Sequence, residues 1–321
     1  KGWMGILFAV LMIITFGFAY NSVQSNTICL AWQKAFGIEP ATMGIALTVL
    51  TLLIIFGGIH RVAKFSSTVV PVMAVIYLLI AVGVVVWNIT SLPKVLLTIV
   101  ENAFGFNQAA GGVLGVTVIQ GIKRGLFSNE AGEGSAPNAA AVATVSHPVK
   151  QGLIQALGVF TDTLVVCSCT AFIILVSGVD LTASNGIQLT QDALTHEIGS
   201  IGNPFVAVMI WLFAFSSIIG NYYYGETNVR YIRDSKLGVF IYRLAVAAMV
   251  MVGAVVSLDF AWSFADITMA LLTLCNLVAI VLLSSQAVFL LKDYRQQKKE
   301  GKNPVFTKDK MPEIADKLEA W

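Results

Sequence analysis

The stretch GIKRGLFSNEAGEGSAPNAAAVA, residues 121–143, sets a Lys, an Arg, Ser128, Asn129, Glu130 and four glycines between two apolar runs. Gly132, Gly134 and Pro137 break or loosen a helix, and Ser128, Asn129 and Glu130 place hydroxyl, amide and carboxyl groups beside the freed backbone. At membrane depth such a break is tolerated only where it lines a cavity or is packed in protein. The chemistry it offers is binding of a small polar solute. Amides opening a half-helix near Ser135 attract an anionic group, and carbonyls ending the preceding half hold a cation. The same residues also read as a polar loop between two shorter spans, which would add a reversal and spoil the charge alternation described below.

The elements that must carry this stretch are apolar. Of 321 residues, 57% are hydrophobic and 12% charged, against about a quarter charged in an average soluble domain. With a mean hydropathy of +0.80, the composition is that of a chain whose surface faces lipid. Cys29, Cys167, Cys169 and Cys275 fall in or beside apolar runs without metal-ligand spacing and read as ordinary thiols. Lys1 leads straight into an apolar run, with no signal peptide and no initiator Met, which fits a fragment or a processed piece.

The requirement for about 20 apolar residues per span cuts the chain into eight predicted helices, near 3–23, 43–60, 67–88, 109–145 (interrupted), 152–177, 204–225, 237–257 and 263–291. Basic residues alternate between the connections. Arg61 and Lys64, His147 and Lys150, Arg230, Arg233 and Lys236, and the tail from Lys292 define one side, while the intervening connections carry Lys34, Lys94 or none. The positive-inside rule makes the basic side cytoplasmic and places both ends of the chain there. Residues 178–203 are long enough for an outer lid, 92–106 read as an interfacial helix, and 292–321 read as a solvated cytoplasmic tail after the transmembrane domain 1–291.

The stretch GIKRGLFSNEAGEGSAPNAAA resembles the signature of the alanine or glycine:cation symporter family. FGFAYNSVQSNTI at 16–28, GVFTDTLVVCSCTAFIIL at 158–175, AFSSIIGNYYYGE at 214–226 and WSFADITMALLTLCNLVAIVLLS at 262–284 agree in order along nearly the whole chain. The resemblance implies a LeuT-like fold, all α and polytopic, with ten core helices in two inverted repeats, the first and sixth broken. On that plan the eight spans are core helices three to ten, an incomplete fold. The chain resembles an N-terminally truncated member without the first broken helix.

What the resemblance implies for residues follows the same plan. Phe127, Ser128, Asn129, Gly132 and Gly134 line the substrate: backbone, Asn and Ser groups fix the zwitterion and Phe127 limits side-chain volume to alanine or glycine. Ser216 and Ser217, on core helix eight, contribute oxygens to a sodium site. Serines in spanning helices also commonly bond their own backbone. Glu130 costs at least ~2.5 kcal/mol at membrane depth unless paired, which makes internal pairing with Arg124 or Lys123 the leading expectation, with contact to the substrate ammonium or a cation as the alternative. Asp162, beside Thr163, needs a partner for packing or for cation coupling. Glu226 and Arg230 have i, i+4 spacing beside Tyr222, Tyr223 and Tyr224 and suit a gate or helix-end pairing. His60, His147 and His196 lie in loops and carry no assigned chemistry.

The expected function is therefore secondary transport: sodium-coupled symport of alanine or glycine into the cell by alternating access, with sodium co-transported and no organic cofactor. An intramembrane enzyme finds no membrane-placed His/Glu cluster and no Gly-x-Ser-x-Gly nucleophile, and a channel finds no repeated filter or charge ring.

Overall fold

The computed structural model describes residues 2–57, 59–104, 111–315 and 318, with backbone alone at 59–70 and 111–118. The span start expected at 109, the helix end expected at 106, the side chains of His60, Arg61 and Lys64, and the last tail residues lie outside that description. Regular structure among the described residues is helical. The helices are α1 Trp3–Phe36, α2 Pro40–Gly57, α3 Ile59–Trp87, α4 Leu92–Ala103, α5 Gly111–Asn129, α6 Ser135–Ala140, α7 Pro148–Val176, α8 Ile187–Ile198, α9 Gly202–Ile232, α10 Lys236–Val255 and α11 Leu258–Lys299.

Six helices, with α8 and α9 counted together, are long and apolar enough to cross a membrane, and the pair α3–α4, bent by 103°, makes a seventh. The α5–α6 segment is not among them, so among the described residues length and hydropathy give six or seven spans against the eight expected. Of the helix expected at 92–106, Leu92–Ala103 is present as α4, which turns away from α3 at the Asn88–Ser91 turn and carries Pro93 in its first turn, where a missing N–H is tolerated.

The largest departure from the predicted spans is in α1, which runs on past residue 23 to Phe36. The polar run Asn21, Ser22, Ser25 and Asn26 looked like the end of a span, yet all four are buried. Ser25 Oγ donates to Val250 O at 2.6 Å, and Asn26 Nδ2 donates to Gly253 O and Val256 O at 3.0 and 2.8 Å. Gly253 O is among the last carbonyls of α10, which have no partner within their own helix; Asn26 satisfies it and Val256 O just beyond the helix end, and Ser25 adds a bond one turn earlier, so the two helices are joined. Close approach depends on Gly253, where a Cβ would lie 2.5 Å from the Ser22 backbone.

Helix α9 runs through the centre and packs along the length of α1. One core cluster gathers Ile28, Leu47, Phe215, Ile218 and Val250 from α1, α2, α9 and α10. A second sets Met12, Phe16 and Tyr20 of α1 against Ala261, Ala265 and Leu272 of α11. Within residues 178–203 the chain forms α8, held down by Lys34–Asp192 at 2.6 Å and by the buried Gln191, which donates to Ala31 O at 3.0 Å.

The tail is docked, not solvated. Phe306, 4% exposed, donates its N–H to Ser146 O at 2.8 Å, and Lys310 Nζ lies 2.9 Å from Asp293 Oδ1. His147, assigned no chemistry from sequence, is completely buried beneath this tail. Its Nδ1 accepts the Val149 N–H, which leaves Nε2–H to donate to Asp293 Oδ2 at 3.1 Å. The aromatic faces of Tyr294 and Phe306 and the Lys310 charge explain why this short polar segment folds back.

Candidate functional site

The interruption predicted in 109–145 is real: α5 ends at Asn129 and α6 begins at Ser135. Glu130 has φ 50°, and Gly132 and Gly134 have φ 79° and 85°. A left-handed conformation at a glutamate costs on the order of 1–3 kcal/mol, so surrounding contacts must hold it. Four helices supply them. Asn276 Nδ2 of α11 donates to Gly132 O at 2.8 Å. Asn138 Nδ2 donates to Gly134 O at 2.9 Å, and Asn228 of α9 donates in turn to Asn138 at 3.3 Å.

The other two helices meet the break at wide, π-type turns, Ile13–Tyr20 in α1 and Asp162–Cys167 in α7. Such turns shift side-chain direction and often mark functional positions. Asp162 begins the second and accepts a hydrogen bond from Ser128 Oγ; Thr163 Oγ1 donates to Asn129 Oδ1 at 2.6 Å. Phe127 stands between Tyr20 and Trp262, with ring centroids at 4.7 and 4.8 Å. The structure therefore brings Phe127, Ser128, Asn129, Glu130, Gly132, Gly134 and Asp162 together.

Two expectations need revision, the pairing of Glu130 and the dipole of the second half-helix. Glu130 does not pair with Arg124 or Lys123, which instead hold Asp266 of α11 at 2.5 and 3.4 Å. Six residues along a helix rotate a side chain by about 240°, and the positive φ at Glu130 turns it further from the Arg124 face. The half-helix after the break is six residues, Ser135–Ala140, too short to build much of a dipole. Ser216 and Ser217 each donate to Phe213 O, at 2.7 and 3.2 Å, and sit roughly 10–12 Å along α9 from Tyr224, whose ring meets that of Phe16 at 5.2 Å. The structure does not join them to the break.

Glu133 is the residue that sequence reasoning passed over. It is 0% exposed, and Tyr20 Oη donates to both of its oxygens at 2.8 Å. Its signal was present as a second acid three residues after Glu130 in a left-handed, glycine-rich segment. The reach from α1 that encloses it was not readable. Glu226 is the other buried acid, and it is neutralised by Arg230 at 2.8 Å, as its spacing predicted, and by Arg243 of α10 at 3.2 Å.

A set of long apolar helices packed around a broken one, with polar side chains gathered at the break, defines a polytopic membrane protein of transporter type. The chain belongs to the sodium:alanine symporter family, whose profile matches residues 1–308. It is 54% identical to the probable sodium/glutamine symporter GlnT of Bacillus subtilis (strain 168) over 96% of its own length and 65% of that protein's. It is 51% identical to the amino-acid carrier protein AlsT of the same organism, over 99% and 68%. A sodium/proton-dependent alanine carrier protein of Bacillus sp. (strain PS3) is 37% identical, over 93% and 71%. The chain thus spans about two thirds of the length of the relatives it matches.

Proposed function

We propose that the protein to which this chain belongs is a secondary transporter that couples sodium entry to uptake of a small neutral amino acid, alanine or glycine, across the cell membrane. The observation that carries the reading is the break itself: α7 orients both polar residues, Ser128 through Asp162 and Cys167 and Asn129 through Thr163, and the Asn129 N–H₂ is left to donate. Asn129 accepts through Oδ1, so its N–H₂ is available to donate to a substrate carboxylate; Ser128 donates to Asp162 and meets the Cys167 thiol at 3.2 Å, which leaves one lone pair for an ammonium. Phe127, wedged between Tyr20 and Trp262, sets the volume beside them and favours a methyl or hydrogen side chain.

The sodium site is assigned to Ser216 and Ser217 with further oxygens from neighbouring helices, a hard-cation donor set. The arrangement is taken as LeuT-like, with the chain's helices as core helices three to ten and alternating access by rocking around the break. The C-terminus is read as cytoplasmic, a reading supported by the basic residues of the tail and the positive-inside rule. Glutamine competes as substrate because a relative named for it is 54% identical. The name of the strain PS3 relative adds a proton to sodium, and its relevance here turns on whether this chain holds a proton site.

The test is uptake of labelled alanine into proteoliposomes holding the product of the complete gene, under an inward sodium gradient, with glycine and glutamine as competitors. Sodium-dependent uptake displaced by glycine and not by glutamine supports the reading. Displacement by glutamine alone transfers the site to the larger substrate, and absence of sodium dependence removes the symport reading.

A further inference from the structure

Among the described residues two acids are buried, and they are treated in opposite ways. Glu226 is met by two arginines, whereas Glu133, more deeply buried, is met by a phenol. The titratable and charged groups around the break are Tyr20 on α1, Glu130 on the segment itself, Asp162 on α7, Tyr224 on α9, and Asp266 on α11 with Arg124 and Lys123 already bound to it. Among the described residues Glu133 has no cation partner. A carboxylate enclosed in this way, with no cation beside it among the described residues, is costly as an ion and acceptable as a neutral acid. The Tyr20 hydroxyl reduces that cost, because a hydrogen bond to a charged acceptor is stronger than one to a neutral acid. Burial and the phenol thus oppose each other, the condition for a group that both takes and releases a proton.

We propose that Glu133, held by Tyr20, is a proton-binding site that links the geometry of the break to protonation. The proton comes from water on the side to which the break is open and adds to a Glu133 oxygen; it returns to water when the break opens to the other side. The position suits the role. Glu133 lies between Gly132 and Gly134, the two glycines with positive φ, and Tyr20 closes the π-type turn of α1. Loss or gain of the proton changes the strength of the Tyr20 contact and with it the tie between α1 and the moving segment. The inference rests on the transport reading for its consequence, but the site itself is tested without transport.

The experiment is infrared difference spectroscopy of the full-length protein in lipid across a pH titration, comparing wild type, Glu133→Gln, Glu133→Asp and Tyr20→Phe. Expected is a carbonyl stretch of a neutral carboxyl that titrates in the wild type, is lost in E133Q, and shifts its midpoint by about one pH unit or more in Y20F. Identical titrating bands in wild type and E133Q overturn the proposal. Should E133Q fail to insert, E133D and Y20F carry the same test, and unchanged midpoints in both overturn it equally. In the uptake assay, sodium-driven alanine transport by wild type varies with pH and that by E133Q varies less than twofold; the wild-type profile retained in E133Q counts against the site. Absence of alanine uptake by the wild type removes the transport reading and leaves the infrared result standing by itself.

Discussion

In the proposed reading single side chains at the break carry the solute chemistry, and their types were legible before their partners were. Phe127, Ser128 and Asn129 could be picked out because polar residues beside glycines in an apolar run need a purpose. Asp162 was legible as an acid in want of a partner, but Ser128 lies 34 residues earlier in the chain and the pairing was not readable. Glu133 was missed for the same reason, since Tyr20 is 113 residues away. Replacing Phe127 with Ala removes two ring contacts, each worth ~0.5–1.5 kcal/mol, and opens the site. The expected outcome is about a tenfold rise in the alanine concentration for half-maximal uptake, with stronger competition by glutamine, measured in the same proteoliposomes. Ser217→Ala is expected to raise the sodium requirement and to leave alanine uptake at saturating sodium nearly unchanged; an unchanged sodium dependence would remove Ser217 from the cation site.

At the scale of helices, hydropathy located the elements well and misjudged where they stop. A run such as Asn21–Asn26 lowers local hydropathy and reads as a boundary, although its donors are spent on the final carbonyls of α10. Hydropathy counts polar atoms without knowing whether another helix satisfies them. Gly253 is the pivot of that contact. Gly253→Val is expected to force α1 and α10 apart and to cost about 1–3 kcal/mol, seen as a lower unfolding temperature in detergent. Gly220, where a Cβ would meet nothing within 4 Å, is the control, and its replacement by Ala is expected to leave the unfolding temperature the same or slightly higher.

Across the whole molecule, the docked tail lay beyond any local pattern. Residues 303–310 are polar enough to look solvated, and they hold because Phe306 fills the space over His147 and Lys310 reaches Asp293. Burial pushes the Asp293 carboxyl up, but hydrogen bonds from Lys310, His147 and Gln297 outweigh it and hold it below the usual carboxylate range. Its contribution is therefore complete above the ordinary Asp value of about 4 and is lost as pH falls through the lower, folded value. Hydrogen exchange at the Phe306 amide is expected to stay slow from neutral pH down to the carboxylate range, after correction for intrinsic rates. In Asp293→Asn the same amide is expected to exchange about tenfold faster at neutral pH; equal protection in both proteins would show that the tail does not depend on this pair. The central claim, that the break binds the solute, is tested most directly by the half-saturating alanine concentration of sodium-driven uptake in wild type and Asn129→Ala at matched membrane levels. A rise of about tenfold, the loss of roughly one hydrogen bond to a charged group, is the predicted result, and an unchanged value would contradict it.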